Sequence, residues 1–464
     1  MRQPAFYPVA ASLRRVGGVA LLSLRASLRT KVVVSLLALL AACVALLPRV
    51  VKGDGTPEGE LNILLTYTLG FSFGILCLAT LWSACALFAA EIDSLRMQLS
   101  AVKPVRAAEF WAGKWLALLV LNAVLLAFVY GGVYAQVQLR MCRSGWAEAE
   151  RPASRRVARP VLPSVEEEAR KTYEAMRSEK ALPEGLSERA VLRVLAERAP
   201  EKYDVVNPGE EVRWRFRLAR PIPAGEKVTV RIRFDTEFSA RAQVTGACRL
   251  MCADLPGSAV QVELDDFTQS EIEFTVDTRA FEQPGAAAAG PAALRDFELA
   301  FRHTGDPARS AALMLRFRQD VVLLTAGGSF EANLARAALL QGSVLALLSA
   351  FGLTLSACFT LPVAAFVATV LLALTMVGNA VVKGVSQEDE KVWWNRPGIW
   401  VSRAVYEATR HAMRDEPLTA LTRGERLEGA ALASALAWNV ALVPGLFALL
   451  GCGVLRRREL ASGD

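Results

Sequence analysis

The sequence is short of the groups from which most enzyme sites are built. It holds two histidines, His303 and His411, too few for a histidine-rich metal centre, and each reads as an ordinary surface residue. Cysteine is present eight times but never as CxxC. Cys43, Cys77, Cys85, Cys358 and Cys452 lie in apolar runs, where a thiol behaves as a small hydrophobe. Cys142, Cys248 and Cys252 lie outside those runs and are candidates for a disulfide whose pairing the sequence leaves open. No phosphate-binding loop occurs. In "AAEFWAGKW" the pair Gly113-Lys114 has Ala108 where the first glycine would stand and Trp115 where the Mg²⁺-binding hydroxyl would follow. GxSxG, HExxH and the kinase set are absent too. No enzyme activity, metal or cofactor is therefore expected of this chain. The apolar runs lack a cluster of ionisable residues, so an ion-coupled pump would have no titratable group at mid-membrane.

Acidic residues are missing from 1–31, a stretch that carries Arg2, Arg14, Arg15, Arg25, Arg29 and Lys31. The other end carries Arg456, Arg457 and Arg458. Basic residues flanking apolar runs set membrane orientation, with the basic side in the cytosol. The net charge of +7 is placed in that way and not as a separate basic patch with interleaved aromatics, so no nucleic-acid partner is expected.

Apolar length is what the chain has in abundance: 53% of its 464 residues are hydrophobic. Six runs reach the roughly 20 residues that a bilayer helix needs: 31–50, 62–90, 115–136, 337–357, 361–382 and 430–455. A tight turn is expected at "SACFT" and Pro362, and a kink at Pro444-Gly445. Residues 9–30 mix arginines and apolar positions at helical spacing, as in a helix lying on the inner leaflet. Six spans put both termini in the cytosol, along with the 91–114 loop, and put 137–330 outside.

Within 143–202 charged, partly helical stretches are expected. Strands follow. In "VRWRFRL", Val212, Trp214, Phe216 and Leu218 alternate with Arg213, Arg215 and Arg217. "KVTVRIRF", "VQVEL", "IEFTV", "FELAF" and "LMLRF" alternate likewise. Period two means one buried and one wet face, and several such strands between Gly/Pro turns read as a β-sandwich. The arginine stripe reads as a solvated face, with an anionic partner as the alternative. Trp393, Trp394 and Trp400, in the loop 383–429, read as membrane-interface anchors. The fold expected is an α-helical polytopic membrane protein of six transmembrane helices, with an inserted extracytoplasmic α+β domain. Its parts are 1–136, 137–330 and 331–464.

Between the second and third runs lies "EIDSLRMQLSAVKPVRAAEFWAGKW". A helix over 91–102 would end before Pro104, and basic anchors would stand at Lys103, Arg106 and Lys114, the last snorkelling toward water. Such a knob can sit in a cleft of another protein and pass motion into the spans. At these residues the chain resembles the membrane-spanning permease subunits of type 2 ABC transporters: an acidic end to the second span, a coupling helix, then a "KPV-R…GK" pattern opening the third. "SFEANLARAALL" and "LTLSACFTLPVAAFVATV" resemble the re-entry region of bacterial members with a large extracytoplasmic insertion.

The resemblance implies a permease in the bacterial cytoplasmic membrane, pairing with itself or with a second permease. It implies that ATP and Mg²⁺ are used by a separate ATP-binding-cassette subunit. Glu91, Asp93, Arg96, Lys103, Pro104, Arg106 and Lys114 would form the coupling loop. The alternative is a membrane-anchored binding or scaffold protein acting through its outer β-domain.

Overall fold

A computed structural model describes residues 9–51, 57–93, 106–144, 154–161, 203–223, 225–236, 241–254, 259–281, 294–306, 310–316, 320–384 and 417–457, with single positions between 170 and 192. The chain divides into two units, Met1–Ala153 with Ser329–Asp464, and Ser154–Gly328.

The first unit is helical. Helix α1 (Val9–Arg29) breaks at Thr30 and α2 (Lys31–Val50) follows at once. Helix α3 (Pro57–Asn62) runs through a π-helical stretch, Ile63–Leu69, into α4 (Gly70–Asp93). Helix α5 (Ala107–Ser144) continues beyond the expected domain start at 137. Its late polar residues face protein: Arg140 pairs with Glu60 at 2.9 Å, and Gln136 donates to the Val44 carbonyl. Helix α6 (Phe330–Cys358) opens on Ser329, whose Oγ accepts the Ala332 N–H. After the tight turn at Phe359, helix α7 (Leu361–Gly384) carries Pro362 in its first turn, where a missing N–H is harmless. A short α8 (Pro417–Thr422) precedes α9 (Gly429–Leu436). A second π-helical stretch, Ala437–Leu442, then leads into α10 (Val443–Arg457). Pro444 and Gly445, where a kink was expected, lie in the first turn of α10, just after this stretch.

Among the described residues, five helical segments are long and apolar enough to cross a membrane: Lys31–Val50, Gly59–Leu87, Ala107–Arg143, Phe330–Cys358 and Gly429–Leu455. A further helix is apolar over Leu361–Thr375. Small residues let these helices approach closely. A Cβ on Gly352 of α6 would stand 2.7 Å from the Ala84 Cβ of α4, and one on Gly132 of α5 would stand 3.0 Å from a Val44 methyl.

Among its described residues, the second unit is an antiparallel β structure of three sheets. Strands β1 (Ser154–Ala158), β11 (Val321–Gly328), β4 (Lys227–Arg233) and β8 (Glu271–Asp277) form one, in that order. Strands β3 (Glu211–Ile222), β9 (Leu294–His303), β6 (Gln243–Cys252) and β7 (Ala259–Phe267) form another. A small sheet joins β2 (Tyr203–Val206), β10 (Leu313–Arg316) and β5 (Asp235–Thr236). All three sheets contribute to one apolar core around Trp214, Phe216, Phe234, Phe297 and Phe301. Strand β1 lies in the stretch 143–202, where no strand was expected, and it pairs with β11 from Ser154↔Gly328 to Ala158↔Leu323.

The inward alternation of β3 is as expected, and its outward arginines are paired. Arg213 meets Glu211 and Glu298, Arg215 meets Glu298, and Arg217 meets Asp296 at 2.9 Å. The stripe is neutralised by its neighbours and offers little net charge to an anion. The surface reading of His303 is overturned. The ring is fully buried, with Nδ1 2.9 Å from the Thr245 carbonyl and Nε2 3.4 Å from that of Ala311. Its position on β9 points it inward with Phe301 and Leu299, two and four residues away.

Candidate functional site

The first turns of α5 are where chemistry and packing converge. Arg106 stands immediately before the helix. Glu109, at the third helical position, accepts its backbone N–H at 3.1 Å. A carboxylate reaching back in this way satisfies one orphan donor and complements the positive end of the helix. The same carboxylate accepts Ser12 Oγ–H at 2.5 Å and lies 3.5 Å from Arg15 Nη1. Glu109 therefore ties α1 to the start of α5. One turn further on, Gly113 makes the same contact by shape. A Cβ there would sit 2.6 Å from Val19 Cβ and 2.9 Å from the Val16 carbonyl oxygen, so only glycine lets α1 lie this close.

Lys114 does not snorkel toward water. Its side chain is fully buried, with Nζ 2.7 Å from the Leu87 carbonyl of α4 and 4.8 Å from the centre of the Phe110 ring. An ammonium in an apolar setting needs such acceptors, because the desolvated charge is otherwise costly. Trp111 and Trp115 stack with centroids 6.0 Å apart. The Trp115 indole donates to the Ala346 carbonyl of α6 at 3.0 Å. The Trp111 ring lies against Gly451 of α10, where a Cβ would come within 3.1 Å of Nε1. In nine residues, Ala107–Trp115, α5 thus engages α1, α4, α6 and α10.

No family model, curated protein or solved structure matches the chain.

Of the expected coupling residues, the structure brings Arg106 and Lys114 to this junction, the first exposed and the second buried. Glu91 and Asp93 lie in the last turn of α4, and nothing is described of their side chains. Arg96, Lys103 and Pro104 lie outside the described residues, as do Trp393, Trp394, Trp400 and His411.

None of Cys142, Cys248 and Cys252 forms a disulfide. Cys248 and Cys252 lie four residues apart on β6, both buried in the core. At ~3.4 Å per residue their Cα atoms are about 14 Å apart, too far for an S–S bond. Burial pushes the Cys248 thiol up to about 12, which suppresses the reactive thiolate. Cys142 is exposed near the end of α5, in the other unit.

A second set of residues escaped the sequence reading. Neutral polar side chains join the apolar helices through α6. Thr80 Oγ1 donates to Asn122 Oδ1 at 2.9 Å, and Asn122 Nδ2 faces Ser349 Oγ at 3.3 Å. Tyr130 donates to Gln341 Oε1 at 3.0 Å, and Asn439 Nδ2 faces Ser343 Oγ at 3.0 Å. Asn333 clasps the 425–427 turn, donating to the Glu425 carbonyl and accepting the Leu427 N–H. A lone Asn or Gln within an apolar run was the available signal, since such a group needs a partner away from water. These pairs hold neighbouring helices in register.

Proposed function

We propose that this chain is the membrane-spanning permease subunit of an ABC transporter, moving a substrate across the bacterial cytoplasmic membrane with ATP hydrolysed by a separate subunit. On this reading α7 is the sixth span, both termini are cytosolic, and the 91–114 loop receives the ATP-binding subunit. Two permease chains, alike or different, complete the transporter. The β unit stands outside the membrane as a β-sandwich domain.

The observation that carries the reading is the junction at the start of α5. A push on the loop ahead of Arg106 is delivered to α1 through Glu109 and Gly113, to α4 through Lys114, to α6 through Trp115 and to α10 through Trp111. Packed helices move as rigid bodies, so one point of force shifts several spans together. Neutral, mutually bonded polar groups in the spans suit a transporter whose energy comes from outside the chain.

The test is reciprocal purification of the full-length protein from its native host. An ATP-binding-cassette subunit is expected to copurify with the wild type and to be lost from the Lys103→Glu/Arg106→Glu variant. Retention of that subunit and of coupled ATPase by the variant would remove the loop from the mechanism. A cysteine at Ala107 is expected to resist a membrane-impermeant reagent in intact cells, and its labelling there would invert the topology.

A second reading is a membrane-anchored binding protein acting through its β unit, and the compactness of Ser154–Gly328 with a core of its own favours it. Full activity of residues 140–330 alone would decide for it.

A further inference from the structure

Helix α1 presents to the outside a surface that the junction at α5 does not use. Its inner side carries Ala20 and Ser23, both buried, with Ser12, Val16 and Val19 packed toward α5. Its outer side carries Arg14, Arg25 and Arg29, all exposed. At about 100° per residue, Arg25 and Arg29 stand about 20° and about 60° round the helix from Arg14, so the three guanidinium groups fall on one stripe. Lys31, exposed at the start of α2, extends it. Among the described residues no carboxylate pairs with any of these four cations, whereas Arg15, beside them in sequence, faces inward to Glu109.

Leu21 and Leu28, 48% and 53% exposed, flank the stripe on one side, and Leu22, 67% exposed, flanks it on the other. Two features select the partner. Helix α1 ends at Arg29, and the apolar helix α2 begins at Lys31, so the stripe's C-terminal end is held where a membrane span starts. Exposed leucines next to unpaired arginines suit a surface that is apolar below and anionic at its edge.

We propose that the Arg14–Arg25–Arg29 stripe of α1 binds the phosphate headgroups of anionic phospholipid, with Leu21 and Leu28 in the acyl boundary. Arginine suits this task because its fork of donors matches phosphate oxygens in pairs. This holds whether or not the chain is a permease.

The experiment uses full-length protein in mixed micelles containing equal amounts of phosphatidylglycerol and phosphatidylcholine. The lipid that stays bound after isolation is quantified by mass spectrometry. Wild-type protein is expected to enrich phosphatidylglycerol about fivefold at low salt, and to lose the preference near 1 M NaCl, where screening is nearly complete. The Arg14→Gln/Arg25→Gln/Arg29→Gln variant is expected to carry the input ratio while unfolding at the wild-type temperature in phosphatidylcholine alone. An Arg213→Gln/Arg215→Gln variant, altered on the β unit, is expected to keep the enrichment. Undiminished enrichment in the triple variant, equal loss in the β-unit variant, or no enrichment by the wild type would each overturn the proposal; in the first case a protein partner with an acidic surface becomes the better occupant.

Discussion

Gln136 on α5 donates its side-chain amide to the backbone carbonyl of Val44 on α2, the acceptor that Pro48 leaves vacant four residues on. Proline has no N–H to give to that carbonyl, and in an apolar setting an unmet carbonyl is costly. Arg140, one turn along the same helix, reaches the carbonyl of Pro48 itself at 3.4 Å.

Gln136→Leu should therefore lower stability by about 1–3 kcal/mol, the cost of leaving a buried acceptor unmet. Thermal unfolding in detergent measures it. Pro48→Ala restores the missing N–H, so the double variant should recover most of the loss. Equal losses in the single and double variants would mean that Gln136 acts elsewhere.

Gly113→Ala should detach α1 from α5. The added methyl would overlap Val19 Cβ and the Val16 carbonyl, neither of which can yield without moving the helix. A loss of about 1–3 kcal/mol is expected, together with faster amide exchange in α1. Val19→Ala should not rescue it, because both obstructing atoms remain. Unchanged exchange in α1 would show that the contact is not tight in solution.

Lys114 separates a structural role from a coupling role. Lys114→Met keeps the apolar stem and removes the charge, and replacing a buried ion by an apolar isostere is often close to neutral. The fold should survive, while any ATPase stimulation transmitted through α4 should fall. Lys114→Glu sets a carboxylate against the Leu87 carbonyl and should cost about 3 kcal/mol or more. Normal coupling in Lys114→Met would confine the lysine to structure.

The β unit should weaken in acid. Burial pushes the Glu273 carboxyl up, but Arg231 at 2.5 Å and Arg155 at 2.9 Å outweigh it and hold the group below its ordinary range. The Arg217 hydrogen bond holds Asp296 down as well. A carboxylate depressed in the folded state stabilises above its unfolded value, and that contribution disappears as the pH falls through the depressed one. The amide I sheet band, which reports the β unit, should melt earlier as the pH drops below about 4.5. Glu273→Gln should flatten part of that slope; an unchanged slope would assign it to other groups.

How much the sequence disclosed follows from the range of each interaction. Trp214 and Phe216 were legible because alternation with arginine is local. Strand β11, "VVLLTAGG", was not, since Val321 to Thr325 are buried on both faces and a strand buried on both sides shows no alternation. Gly113 and Lys114 looked like a basic flank. Their partners Val19 and Leu87 are distant in sequence, and no local pattern marks a contact between helices. Arg140 looked like the start of a polar domain, and only the helix beside it shows otherwise. The sequence leaves the pairing of Cys248 and Cys252 open because the strand that sets them four residues apart along β6 is not marked by alternation.

The pairing of β1 with β11 has an architectural consequence. Because Ser154 sits opposite Gly328, the β unit leaves and rejoins the rest of the chain at neighbouring points. The 175 residues Ser154–Gly328 therefore begin and end side by side, as a cassette on a two-wire plug.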